Sequence, residues 1–157
     1  MKRSLMFSAT AAAAVAALFI TVGAVAGGGS ASSKTITVIE HATTDATTDT
    51  GAAGDSAGDI LTFANEVFDA GNTTKVGTDQ GYCIRIVAGA SYECIWTTFL
   101  PGGQITVEGP FFDAGPSTLA ITGGTGKYRK ARGTMDLSAA NAAGTEFRFA
   151  FHLGGDD

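Results

Sequence analysis

Histidine and cysteine are scarce in this chain: His41 and His152 are its only imidazoles, Cys83 and Cys94 its only thiols. A structural metal site wants about four soft ligands at short spacings, and neither histidine stands in ligand spacing with either cysteine. No metal is therefore expected. Positive charge is also short, with ten Lys and Arg against fifteen Asp and Glu. Two of those ten, Lys2 and Arg3, fall within the first three residues. Without them eight basic residues face fifteen acidic ones, a formal charge of −7. That balance excludes nucleic acid and anionic membrane surfaces as partners, because both require clustered cations. Helical patterning is missing too, since no segment keeps a 3.6-residue apolar period over three turns. Beyond residue 26, no apolar run reaches the length that crosses a bilayer.

The N-terminus does carry one long apolar run. Met1-Lys2-Arg3-Ser4 is a short cationic start, residues 5–22 are mostly apolar, and Ala24-Val25-Ala26 puts small residues where a signal peptidase reads. Residues 1–26 are expected to be a cleaved signal peptide, with Gly27 as the new N-terminus. The product is then secreted, extracellular and free of the membrane after cleavage. The remaining 131 residues suit a single domain with one core. Residues 27–58 comprise a flexible leader, a first strand at 34–40 and a Thr/Asp/Gly-rich loop at 43–58 that could serve as an entrance flap. Residues 59–157 form the rest of the same domain.

From residue 59 the pattern is strand, turn, strand. Further strands are expected at 60–68, 76–87, 92–100, 104–109, 118–122, 128–137 and 145–153, with Pro101-Gly102-Gly103 as a plain turn signal. The last strand is the clearest. Phe147, Phe149, Phe151 and Leu153 alternate with Glu146, Arg148, Ala150 and His152, so one face is dry and the other is not. Eight such strands make either a closed barrel or a two-sheet sandwich. The pattern alone does not separate them.

Several segments carry a resemblance that does. GDILTFAN (58–65), Val76-Gly77, Gly81-Tyr82-Cys83, GQITVEGPF (103–111) and above all AITGGTGKYRKARG (120–133) resemble the barrel family of plant allene oxide cyclases. The last segment equally resembles the dirigent proteins, which share that barrel. The similarity runs from about residue 58 to 154. It implies an all-β fold, an eight-stranded antiparallel β-barrel with an apolar central cavity, assembled as a homotrimer and using no cofactor. Cyclases of this family convert an unstable fatty-acid epoxide into a cyclopentenone, and dirigent proteins hold phenoxy radicals or quinone methides for stereoselective coupling. In both, the protein acts mainly by restricting the conformation of a reactive substrate.

Carried over residue by residue, the resemblance places Leu61, Phe63 and Asn65 on the pocket side of the second strand, with Asn65 as the candidate catalytic residue. It also places Cys83, Tyr92 and Phe111 in the pocket. The family's first strand has a substrate-facing Glu followed two residues on by Asn, and residues 37–41 here contain no such pair. Strand parity adds Trp96 to the side of Tyr92 and Cys94, and Arg85 to the side of Cys83. An inward Arg85 would need an acidic partner such as Glu108, or a substrate carboxylate.

The two cysteines lie on the two arms of one expected hairpin. If Val87 faces Ala90, then Cys83 faces Cys94, close enough for a disulfide. Export favours that bond over a free pocket thiol. The stretch 121–128 imitates a phosphate-binding loop but lacks a Gly at Ile121 and a Ser or Thr at Tyr128, so it reads as a Gly-rich turn. Lys127, Arg129, Lys130 and Arg132 would then be solvated.

The function these observations point to is a secreted barrel that binds a small hydrophobic molecule and steers its cyclisation or coupling. The alternative is a non-catalytic carrier or interaction protein whose barrel is packed. An interior cavity is what separates the two.

Overall fold

The computed structural model describes residues 34–154, so the expected signal peptide and leader lie outside the described residues. The strands are β1 (Lys34–His41), β2 (Ala46–Thr48), β3 (Ile60–Phe63), β4 (Glu66–Asp69), β5 (Lys75–Val87), β6 (Ser91–Leu100), β7 (Gly103–Phe112), β8 (Ser117–Gly124), β9 (Gly133–Ala139) and β10 (Glu146–Leu153). All pairings are antiparallel. The ring β1–β10–β9–β8–β7–β6–β5–β4 closes back on β1, which makes an eight-stranded antiparallel barrel. β3 continues the β4 position along β5, and the short β2 pairs with β3 outside the ring.

The expected strand at 60–68 is one position in the barrel but is interrupted at Ala64 and Asn65. Phe63 faces Gly81 and Glu66 faces Thr78, so the register holds across the break. Asn65 keeps its backbone pair with Asp79 on β5, while the Ala64 N–H donates to the Thr44 hydroxyl of the preceding loop (2.8 Å) rather than to a neighbouring strand. Residues 43–58 are a loop as expected, except that β2 interrupts it. The expected strand at 128–137 starts later, at Gly133. A 3₁₀ turn at Gly126–Tyr128 takes its place, which buries Tyr128 and Ala131 against one end of the barrel. Gly126 adopts φ +57, and a Cβ there would collide with the Gly102 carbonyl.

The strand ends define two barrel ends. One holds the β4–β5, β6–β7 and β8–β9 connections. Beside it the inward side chains Ile105, Met135, Val67 and Phe151 are fully buried. The other gathers the loop at 42–59 with the β5–β6, β7–β8 and β9–β10 turns. Alternation in β10 points Phe149 and Phe151 inward at 1% and 0% exposure, as a two-residue period requires. Burying each such ring stabilises the fold by roughly 1.5–3 kcal/mol.

Candidate ligand cavity

Towards the loop-rich end the inward side chains do not fill the lumen. They leave a cavity of about 260 Å³. Its wall is aromatic, made by Phe63, Tyr92, Trp96, Phe111, Phe147 and Phe149. Ring centroids lie 6.0 Å apart for Phe63 and Trp96, 5.5 Å for Trp96 and Phe149, and 6.0 Å for Phe111 and Phe147. These are tilted or edge-on contacts, the arrangement that ring quadrupoles favour. Leu61 and Leu137 complete the apolar lining.

Cys83 and Cys94 are joined in a disulfide, face each other directly across β5 and β6, and line the same cavity. Their Cα atoms are 4.0 Å apart. The expected turn register is off by one, since Val87 faces Ser91 and not Ala90. A bulge between Arg85 and Val87 absorbs the difference, so the cysteines still meet. No free thiol remains in the wall.

Carboxyl groups stand at one side of this apolar space. Glu40 from β1 and Asp45 from the loop line it, and Asp79 from β5 is buried behind them at 1% exposure. Asn65 organises the group. Its Nδ2 donates to Glu40 Oε1 and Asp45 Oδ1, both at 2.9 Å. Its Oδ1 accepts from the Thr43 N–H, the Thr44 N–H and the Thr44 hydroxyl, each at 3.0 Å. The amide is thus fully engaged by protein, and Asn65 sits behind the wall.

Burial, with the adjoining Glu40 acting in the same direction, pushes the Asp79 carboxyl up to about 9. Burial likewise pushes Glu40 up to about 7, against the lowering effect of the hydrogen bond from Asn65. Asp79 Oδ1 accepts from the Asn65 backbone N–H (3.3 Å), its Oδ2 meets no donor among the described residues, and the Glu40 carboxyl lies against it. Two acceptors can share a contact only when one holds a proton. Burial thus favours a proton shared between the two.

Arg85 lies at the same end but outside the lining. Its guanidinium stacks 3.6 Å over the Tyr92 ring, with Nε 2.7 Å from Asp55 and one terminal nitrogen 2.7 Å from Asp113. Its partners are thus these two, and not Glu108, which is exposed on β7. Arg85 ties the loop at 42–59 to the β7–β8 turn across the barrel mouth. Asp59 shapes the same loop, accepting from the Thr50 and Ser56 N–H groups (3.0 and 2.8 Å), which hold its carboxyl below the usual range.

Of the residues expected from sequence, Leu61, Phe63, Tyr92, Trp96 and Phe111 come together around the cavity. Asn65 and Arg85 stand next to it. Sequence reasoning passed over Glu40, Asp45, Asp79, Leu137, Phe147 and Phe149. For Glu40 a signal existed, because it shares parity with Ile36 and Val38 and so is an acid on the dry face of β1. Phe147 and Phe149 were legible as dry-face residues but not as cavity wall.

The described residues thus define a closed antiparallel barrel, packed at one end and opening at the other around an apolar cavity. The chain belongs to the allene oxide cyclase barrel like family, whose domain model matches residues 37–150. Solved structures of the same fold include a pyocyanin demethylase (TM-score 0.64, 26% identity, covering 74% of this chain and 98% of that one). They also include a pterocarpan synthase dirigent protein (TM-score 0.62, 14% identity, covering 80% and 97%). A third is an exo-specific intermolecular Diels-Alderase (TM-score 0.63, 16% identity, covering 79% and 99%).

Proposed function

We propose that this protein is an exported barrel that encloses one small hydrophobic molecule and steers its cyclisation or stereoselective coupling. The carrying observation is the aromatic cavity with the Glu40 and Asp45 carboxyls, both held by Asn65, at its side. The aromatic walls would restrict a reactive substrate to one conformation, which lowers the entropic part of the barrier. Glu40, with Asp79 behind it, would give or take a proton at the reacting centre, as a carboxyl raised towards neutrality can. The buried Trp96 indole N–H, without a protein partner among the described residues, is a donor available to a substrate oxygen. Neighbours named as a dirigent protein and a Diels-Alderase support chemistry of this kind. Leu61, Phe63, Tyr92, Trp96 and Phe111 are assigned to substrate contact, and Asn65 to holding the acids.

Export rests on the signal-like N-terminus and on the disulfide, a bond that persists in oxidising compartments. Among the described residues no helix is long and apolar enough to cross a membrane. A homotrimer is assigned on the family resemblance and on the outer face of β5, where Tyr82, Ile84 and Ile86 are exposed. Light scattering on the mature protein checks it. The test of function is mass spectrometry of small molecules extracted from protein purified from its native culture. A recurrent ligand that is chemically changed on incubation supports the steering role. A ligand returned unchanged leaves the carrier reading, and an empty barrel in every preparation counts against both.

A further inference from the structure

Which small molecule the cavity takes is constrained by its charge. The lining contains two carboxyl groups, Glu40 and Asp45, and no Lys, Arg or His. Asp79, the third carboxyl of the group, is held towards its neutral form by burial and is not counted in that charge. The nearest cation, Arg85, is answered by both Asp55 and Asp113, so it brings no net positive charge to the mouth. Asn65 supplies dipoles but no charge.

The apolar part of the wall is as telling. Six aromatic rings surround the space and only two leucines accompany them. Ring faces carry negative quadrupole potential, so a box of rings attracts cations that have already shed water. Arg85 over Tyr92 shows one ring of this wall holding a guanidinium at 3.6 Å. At about 260 Å³ the space falls just below the roughly 300–1,000 Å³ of drug-sized sites, too small for a long acyl chain to be enclosed. Aromatic walls combined with two carboxyl groups that no cation of the lining answers form a cage for a compact, flat organic cation.

We infer that the cavity selects a small aromatic monocation, such as an N-alkylated heteroaromatic ring, over neutral and anionic molecules of the same shape. The rings would hold its plane, and Glu40 and Asp45 would face its charge. This rests on the reading of the cavity as a ligand site and names the ligand class.

Three tricyclic fluorophores of matched shape test it: N-methylacridinium, neutral 9-methylanthracene and anionic anthracene-9-carboxylate. Each is titrated into the full-length exported protein at mildly alkaline pH and low salt. The cation should bind about tenfold or more tightly than the hydrocarbon, and the anion weakest of the three. Glu40→Gln and Asp45→Asn should each weaken the cation about three- to tenfold while leaving the hydrocarbon unchanged. Two variants are used so that a folding defect in one does not decide the result. Equal affinity for cation and hydrocarbon would overturn the inference while leaving the hydrophobic cavity intact. So would a loss in the variants common to both probes. Failure of all three probes to bind would remove the ligand-site reading along with it.

Discussion

The two ends of the barrel use the same alternation for opposite purposes. At the closed end, Val67, Ile105, Met135 and Phe151 point into the lumen and are fully buried. At the loop-rich end, side chains at least as large stand back from the axis and leave a cavity. Ring size does not explain the difference. What differs is polarity, because acids at Glu40, Asp45 and Asp79 intrude on the open end and an amide at Asn65 must hold them. A packed end secures the fold, and the stability it supplies allows the other end to keep buried carboxyls and empty space.

Several measurements would break or sharpen this contrast. The largest effect is expected at the closed end. Phe151→Ala should cost about 3–5 kcal/mol in urea unfolding, the loss typical of a filled core. A cost near 1 kcal/mol would show that the closed end is not packed. Next is the disulfide in the open-end wall. Replacing Cys83 and Cys94 with serine should cost about 2–4 kcal/mol, since it releases an 11-residue separation in the unfolded chain. Free thiols in the exported protein on peptide mapping would sink that expectation.

The buried acids give a pH signature. Their folded-state values are raised, so the folded protein binds more protons than the unfolded chain above pH about 4. Stability should therefore fall as pH rises from about 4, through about 7 for Glu40, towards about 9 for Asp79. The expected loss is on the order of 1–3 kcal/mol, and Asp79→Asn should flatten the curve. A profile that rises over this range would contradict the shared proton. The smallest effect should come from Phe63→Ala, at about 1–2 kcal/mol, because one side of that ring faces empty space and has no contacts to lose. The same change should weaken or broaden binding of an apolar dye. A full core-sized loss with no dye bound by the parent would mean the open end is packed after all.

Most of the barrel was legible because two-residue alternation is a strong signal in strands such as β6 and β10. The cysteine pairing was also legible, since parity survived an error in the turn that the bulge absorbed. The break at Asn65 was not, because nothing in a strand-like run announces that a distant Thr44 hydroxyl will take the Ala64 N–H. Nor was the 3₁₀ turn at Gly126–Tyr128, whose reason is the tertiary burial of Tyr128. The aromatic wall could be read one strand at a time from parity. The acid cluster could not, for it unites β1, β5 and a loop whose composition suggests only solvent.

One further consequence lies in β2. The eight-stranded ring closes on itself, and the strand left at the edge of the sheet order is β2, three residues long, Ala46–Thr48, and exposed. So short a margin offers a foreign strand only a hydrogen bond or two, too little to nucleate fibrils. A fold closed in this way leaves little backbone free to recruit a second chain edge to edge. Any association it does enter would have to be through the faces of its strands.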